Sequence, residues 1–91
     1  MSKLTPVHPG EILKEEFIVP MGLNAAQVAA RIFVPAGRIT DIINNKRTIT
    51  ADTAIRLSKL FGTTPNFWLN LQLRYDLHIA DKVKENILSI V

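Results

Sequence analysis

The stretch 23–47, LNAAQVAARIFVPAGRITDIINNKR, constrains the fold more than any other part of this 91-residue chain. Asn24 is a good N-cap, and Gln27 stands three residues on, where its amide can reach back to the cap. A first helix therefore starts at about Ala25. Leu23 and Val28 occupy the two positions of a hydrophobic staple, which fixes the angle at which the chain enters that helix. Val28 and Ile32 lie four apart on one face, with the small Ala29 beside them where a second helix must cross closely. Phe33 and Val34 then supply a short turn. Pro35 begins the next segment, in which Ile39 and Ile42 repeat at helical spacing with Arg38, Thr40 and Asp41 on other faces.

Two short helices meeting at a steep angle demand a small residue at the crossing and several aliphatics at fixed offsets, and all are present. An ordinary αα-hairpin would satisfy the apolar positions alone. Charge separates the two readings. Residues 24–47 hold Arg31, Arg38, Lys46 and Arg47 against Asp41, a net +3, while 1–23 carry −1 and 48–91 carry +1. The whole excess of the chain equals what this unit carries. A basic footprint there is what contact with phosphates requires, so the unit reads as a helix-turn-helix.

The flanking elements are placed by their punctuation. Pro9 suits a first helical position, Leu13 and Phe17 lie four apart, and Pro20 with Gly22 ends that helix. Thr50 caps a fourth helix. Its Asp52 favours the positive end of the helix dipole, Ala54, Leu57 and Phe61 face inward, and Gly62 stops it. Thr64 and Pro65 open a fifth, carrying Phe67, Trp68, Leu71 and Tyr75 at helical spacing and running, with a break near Asp81, through Val83, Ile87 and Ile90. The sequence thus predicts an all-α fold of about five helices in one domain, 1–91, whose C-terminal part, about 65–91, serves dimerisation or a partner. The chain is long enough to bury a core without staples, and it has no cysteine for disulfides or thiolate metal sites.

No segment approaches the run of ~20 apolar residues that a membrane span needs, and the first residues lack the apolar stretch of a secretory signal. A cytoplasmic protein without membrane contact is expected. No paired carboxylates, nucleophile elbow, phosphate loop or metal set occurs, so neither enzymatic activity nor a cofactor is expected. His8, Glu11 and the distant His78 lack the spacing of a metal site. His8 fits better as the N-terminal boundary of the first helix.

The segments HPGEILKEEF, the helix-turn-helix core and NNKRTITADTAIRLSKLFGTTPNFWLNLQLRYDL, in that order, resemble the HigA-type antitoxins, also called virulence-associated protein I, within the lambda-repressor-like class. The resemblance spans about residues 6–80. It implies a homodimer that binds a palindromic operator and represses its own operon, and that neutralises a co-transcribed toxin which cuts mRNA on the ribosome. A stand-alone transcriptional regulator with the same fold and no toxin is the alternative. Two positions depart from the usual pattern. Position 33, usually glycine because the turn needs φ > 0, is Phe33, which predicts a strained or displaced turn. Position 45 is Asn45, which tolerates the left-handed conformation far better.

The second helix of such a motif enters the major groove N-terminus first. Ala36, Gly37, Arg38, Thr40 and Asp41 are therefore expected near base edges. Arg38 alone is long and charged enough to pair with guanine, and it is equally suited to holding a phosphate. Asn44, Lys46 and Arg47 follow the helix where the DNA backbone passes, and Gln27 and Arg31 complete the expected DNA-binding set. Trp68 and Tyr75 are expected in the core or at a dimer surface, and Ile79, Val83, Ile87 and Ile90, an apolar stripe left over once one core is filled, at a dimer or toxin contact.

Overall fold

The computed structural model describes residues 6–81 and 87–90. Among them are five helices and no strand. α1 begins as Pro9–Ile12, where the His8 Nδ1 accepts the Gly10 N–H at 2.9 Å as an N-cap. It continues as a π-helical segment, Leu13–Ile18. The simple four-residue spacing of Leu13 and Phe17 does not foretell this wider coil. Bonds across five residues bring Leu13 and Ile18 to the same interior, at 0% and 3% exposure, while Phe17 is half-buried.

α2, Ala25–Arg31, starts on a complete capping box: Asn24 Oδ1 accepts from Gln27 N–H at 2.8 Å, and Gln27 Oε1 accepts from Asn24 N–H at 2.9 Å. It ends in a Schellman turn. The Val34 N–H donates to Ala29 O at 3.0 Å and the Phe33 N–H to Ala30 O at 3.3 Å, with Phe33 at φ +60°. α3, Ala36–Ile43, ends the same way: Lys46 N–H donates to Asp41 O, Asn45 N–H to Ile42 O, and Asn45 has φ +63°. α4, Ala51–Phe61, is capped by Thr50 and stopped by Gly62 in the left-handed conformation. α5, Pro65–Asp81, opens with Thr64 Oγ1 accepting from Phe67 N–H at 3.1 Å.

α2 packs chiefly on α3, and α4 on α5, while α1 bridges α3 and α5. Val28, Ala29, Ile32, Ile39, Ile42, Ile49, Ala54, Leu57 and Trp68 join Leu13 and Ile18 in one core. Trp68 is its largest side chain. Its indole N–H is satisfied by Thr63 Oγ1 at 2.7 Å, and Phe17, Phe67 and Trp68 pack ring on ring. Buried Gln72 pins the segment after α3 to α5: its Oε1 accepts the Ile49 N–H at 2.8 Å, and its Nε2 donates to Asp76 at 2.9 Å. Gly10 lets α1 touch α3. A Cβ there would collide with the carbonyl of Ile42 and lie 2.9 Å from the Ile43 Cα.

Candidate nucleic-acid interface

α3 buries Ile39 and Ile42 and turns Ala36, Gly37 and Thr40 outward. Asn44, Asn45, Lys46, Arg47 and Thr48 follow without a break, all exposed. The result is a ledge of small and polar groups on one side of the molecule, its far end set by the left-handed Asn45. Asp41 belongs to the ledge as a half-buried side chain facing Arg47, with Nη2 to Oδ2 at 3.9 Å.

Arg38 is not the free side chain that its place in the sequence suggests. Its Nη1 donates to Asp52 Oδ2 at 2.8 Å, and the side chain is 27% exposed. Arg56 Nε donates to the same oxygen at 3.0 Å, while its Nη1 reaches the Ile32 carbonyl at 2.7 Å. The hydrogen bonds from Arg38 and then Arg56 hold the Asp52 carboxyl below its ordinary range. One carboxylate thus links α3 to α4, and α4 in turn to the end of α2. Sequence reasoning gave Asp52 only a dipole role and gave Arg56 none. The Asp52/Arg56 spacing of four was a usable signal, but the pairing with Arg38 fourteen residues away was not.

Gln27 is exposed at the start of α2 with its amide engaged in the capping box. Arg31 lies at the other end of that helix, where it lines a cleft with Arg56 and Lys59. Phe33 is strained and displaced outward, with φ +60° and 86% exposure. A non-glycine residue in that conformation costs ~1–2 kcal/mol.

The expected partner-contact series does not form one surface. Trp68 is at 0% exposure, so it is core and cannot be a contact surface. Tyr75 is half-buried, its ring edge-on to His8 at 4.8 Å between centroids. Ile79 is exposed on α5. Val83 lies outside the described residues. Ile87 and Ile90 are exposed but in no regular secondary structure, so the helical stripe does not extend through them. Sequence reading passed over Leu73 and Leu77, which stand one turn apart on α5 at 54% and 61% exposure.

Two helices joined by a tight turn, with the second presenting a polar, basic-flanked face, define a helix-turn-helix protein, and a helix-turn-helix family profile matches residues 13–68. The chain is 44% identical to virulence-associated protein I of Dichelobacter nodosus over 99% of its own length and 83% of that protein's. It is 41% identical to antitoxin HigA-1 of Vibrio cholerae, over 84% of this chain and 71% of that one. Its structure matches Pseudomonas aeruginosa antitoxin HigA, solved with the higBA promoter, at a TM-score of 0.86 and 37% identity, covering 94% and 99% of the two chains. The chain belongs to the helix-turn-helix family, among the HigA-type antitoxins and virulence-associated proteins.

Proposed function

We propose that this protein is an antitoxin and autorepressor of the cytoplasm that binds a palindromic operator as a homodimer and neutralises a co-transcribed, mRNA-cutting toxin. One observation carries the DNA-binding part. The outer face of α3 is small and polar, flanked by Arg38 on one side and by Lys46 and Arg47 beyond its C-terminus, and it follows an α2 that starts on a complete capping box. Such a face enters a major groove without steric hindrance. Ala36, Gly37, Thr40 and Asp41 then lie near base edges, Arg38 meets a guanine or a phosphate, and Asn44, Lys46 and Arg47 follow the backbone. Gln27 sits where the free N–H groups at the start of α2 can meet a phosphate.

Ala36 and Gly37 offer no hydrogen-bonding side chain. Part of the specificity therefore comes from methyl contacts, water and DNA shape. One recognition helix reads too few bases to select an operator, so a two-fold dimer is needed, with recognition helices about 34–36 Å apart on one face of the duplex. Leu73 and Leu77 on α5 supply apolar surface for that contact, an assignment that replaces the one drawn through Trp68. The toxin-neutralising part rests on the named HigA relatives.

Fluorescence anisotropy on the DNA upstream of the gene, against a scrambled duplex, tests the repressor reading. With Arg38, Lys46 and Arg47 of both protomers on phosphates, log K falls with log salt at a slope of roughly −5. Equal affinity for the two duplexes at physiological salt overturns it. Co-purification with the product of a small adjacent reading frame separates an antitoxin from a stand-alone regulator.

A further inference from the structure

Folding does not account for Phe33. A glycine would close the same Schellman turn without strain, and α3 meets the identical requirement with the tolerant Asn45. The phenyl ring recovers little in exchange, since 86% of the residue is open to solvent. Backbone strain with no return in packing is characteristic of binding surfaces.

Beside Phe33 lies a cleft of about 350 Å³ lined by Arg31, Ile32, Phe33, Arg56, Lys59 and Leu60. α2 packs chiefly on α3 and α4 on α5, so the cleft lies between the C-terminal ends of α2 and α4, where Arg56 reaches the Ile32 carbonyl. Its size is at the lower end of the range for pockets, suited to a few side chains rather than to a helix. Its lining holds three cations and no carboxylate. Arg56 is committed to Asp52 and to Ile32, whereas Arg31 and Lys59 are exposed and enter no ion pair among the described residues. The walls are thus apolar at Ile32, Phe33 and Leu60 and positive at the rim.

We propose that this cleft docks an acidic segment of a partner protein, with an aliphatic side chain seated on Phe33 and a carboxylate held between Arg31 and Lys59. Charge complementarity selects the carboxylate. The aromatic wall selects an apolar neighbour over a bare ion, and the concave shape suits a peptide better than the smooth backbone of a duplex. None of the residues lining the cleft belongs to α3.

The test uses the full chain and a labelled peptide of alternating aspartate and leucine, with an asparagine–leucine twin as control. The acidic peptide should bind at least about tenfold tighter than its twin, on the scale of contacts to buried-rim charges. Amide shifts should concentrate at residues 31–33 and 56–60. Phe33→Gly should weaken binding about fivefold while leaving thermal stability equal or higher, so the loss cannot be blamed on unfolding. Arg31→Gln with Lys59→Gln should weaken it at least about tenfold, and Lys59→Gln by itself should weaken it while leaving operator affinity nearly unchanged. The proposal is overturned by equal binding of the twin, by insensitivity to both variants, or by shifts centred elsewhere. It is also overturned if Lys59→Gln loses operator affinity as fully as Lys46→Ala, which would put the cleft against DNA.

Discussion

The outer faces of α3 and α5 differ more than any other two surfaces of the molecule. α3 hides two isoleucines and shows the solvent Ala36, Gly37 and Thr40. α5 is twice as long, hides Trp68 and Gln72, and shows Phe67, Leu73 and Leu77, from 38% to 61% exposed. Both helices have their inner faces satisfied by the same core, so the inner faces say how the chain folds. The outer faces say what it meets. A surface of small polar groups with cations at its rim suits a hydrated polyanion, whereas exposed leucines one turn apart suit another apolar surface.

That division of labour depends on where α3 is held, and Gly10 is the point at which α1 meets it. Because a Cβ at Gly10 would meet backbone rather than a movable side chain, Gly10→Ala must push α1 away from α3. The expected loss is about 3 kcal/mol in urea unfolding, with operator binding lost as well. A loss under ~1 kcal/mol would mean that the two helices separate freely and that α3 owes its position to α2 alone.

The α5 side of the comparison is broken by Leu73→Asp with Leu77→Asp. Neither side chain is in the core, so the folded subunit should keep its stability. Self-association should weaken about 100-fold, on the scale of truncating two central interface anchors. Operator affinity should fall with it, because each protomer then binds a half-site alone. Sedimentation velocity checks the first effect and anisotropy the second. An unchanged dimer would move the interface off this face.

On the α3 side, Arg38→Ala should cost ~1–3 kcal/mol on the operator, and less on random DNA if the side chain reads a guanine. Asp52→Asn should act in the opposite sense on random DNA. It removes a negative charge from each protomer and releases Arg38, so affinity for scrambled duplex should rise by about threefold and the operator-to-random ratio should fall. If that ratio is unmoved, the ion pair in the free protein has no bearing on how Arg38 meets DNA.

The sequence made the helix-turn-helix readable because its signals are local. The Asn24/Gln27 box, Pro35, and the Thr50 and Thr64 caps each involve residues within three or four positions, and each appears in the structure. The φ > 0 of Phe33 and Asn45 was expected from the family pattern, since phenylalanine itself carries no local signal for a left-handed backbone. What stayed hidden depends on distance in the chain. The Arg38–Asp52 pair spans fourteen residues and the Ile49–Gln72 bond twenty-three, and no periodicity encodes either. The π-helical turn of α1 escaped because the aliphatics at 13 and 18 fit a five-residue closure only once both have a common core to face. Trp68 was misassigned because helical spacing shows that a face is apolar without saying whether the cavity it fills is inside or outside the domain.

The smallest expected effect is a pH dependence at His8, which joins the two halves of the comparison by capping α1 beside Gly10 and packing on Tyr75 of α5. Burial disfavours its charged form, and this outweighs the attraction of Asp76, so its pKa in the folded chain lies below the ordinary 6.5. The cap itself points the same way. Nδ1 accepts the Gly10 N–H and cannot do so once protonated. Below the ordinary value the unfolded chain therefore binds more protons than the folded one, and stability must decline as the pH falls. The contribution is complete above about pH 6.5, fades through the interval down to the depressed folded value, and is absent beneath it. His8→Asn keeps an N-cap acceptor while removing the titration, at the expense of the contact with Tyr75. Urea unfolding at about pH 7.5 and about pH 5.5 should show the parent chain losing stability over an interval where the variant loses less. Parallel losses in the two proteins would place the responsible titration on another group and leave His8 with a purely geometric role.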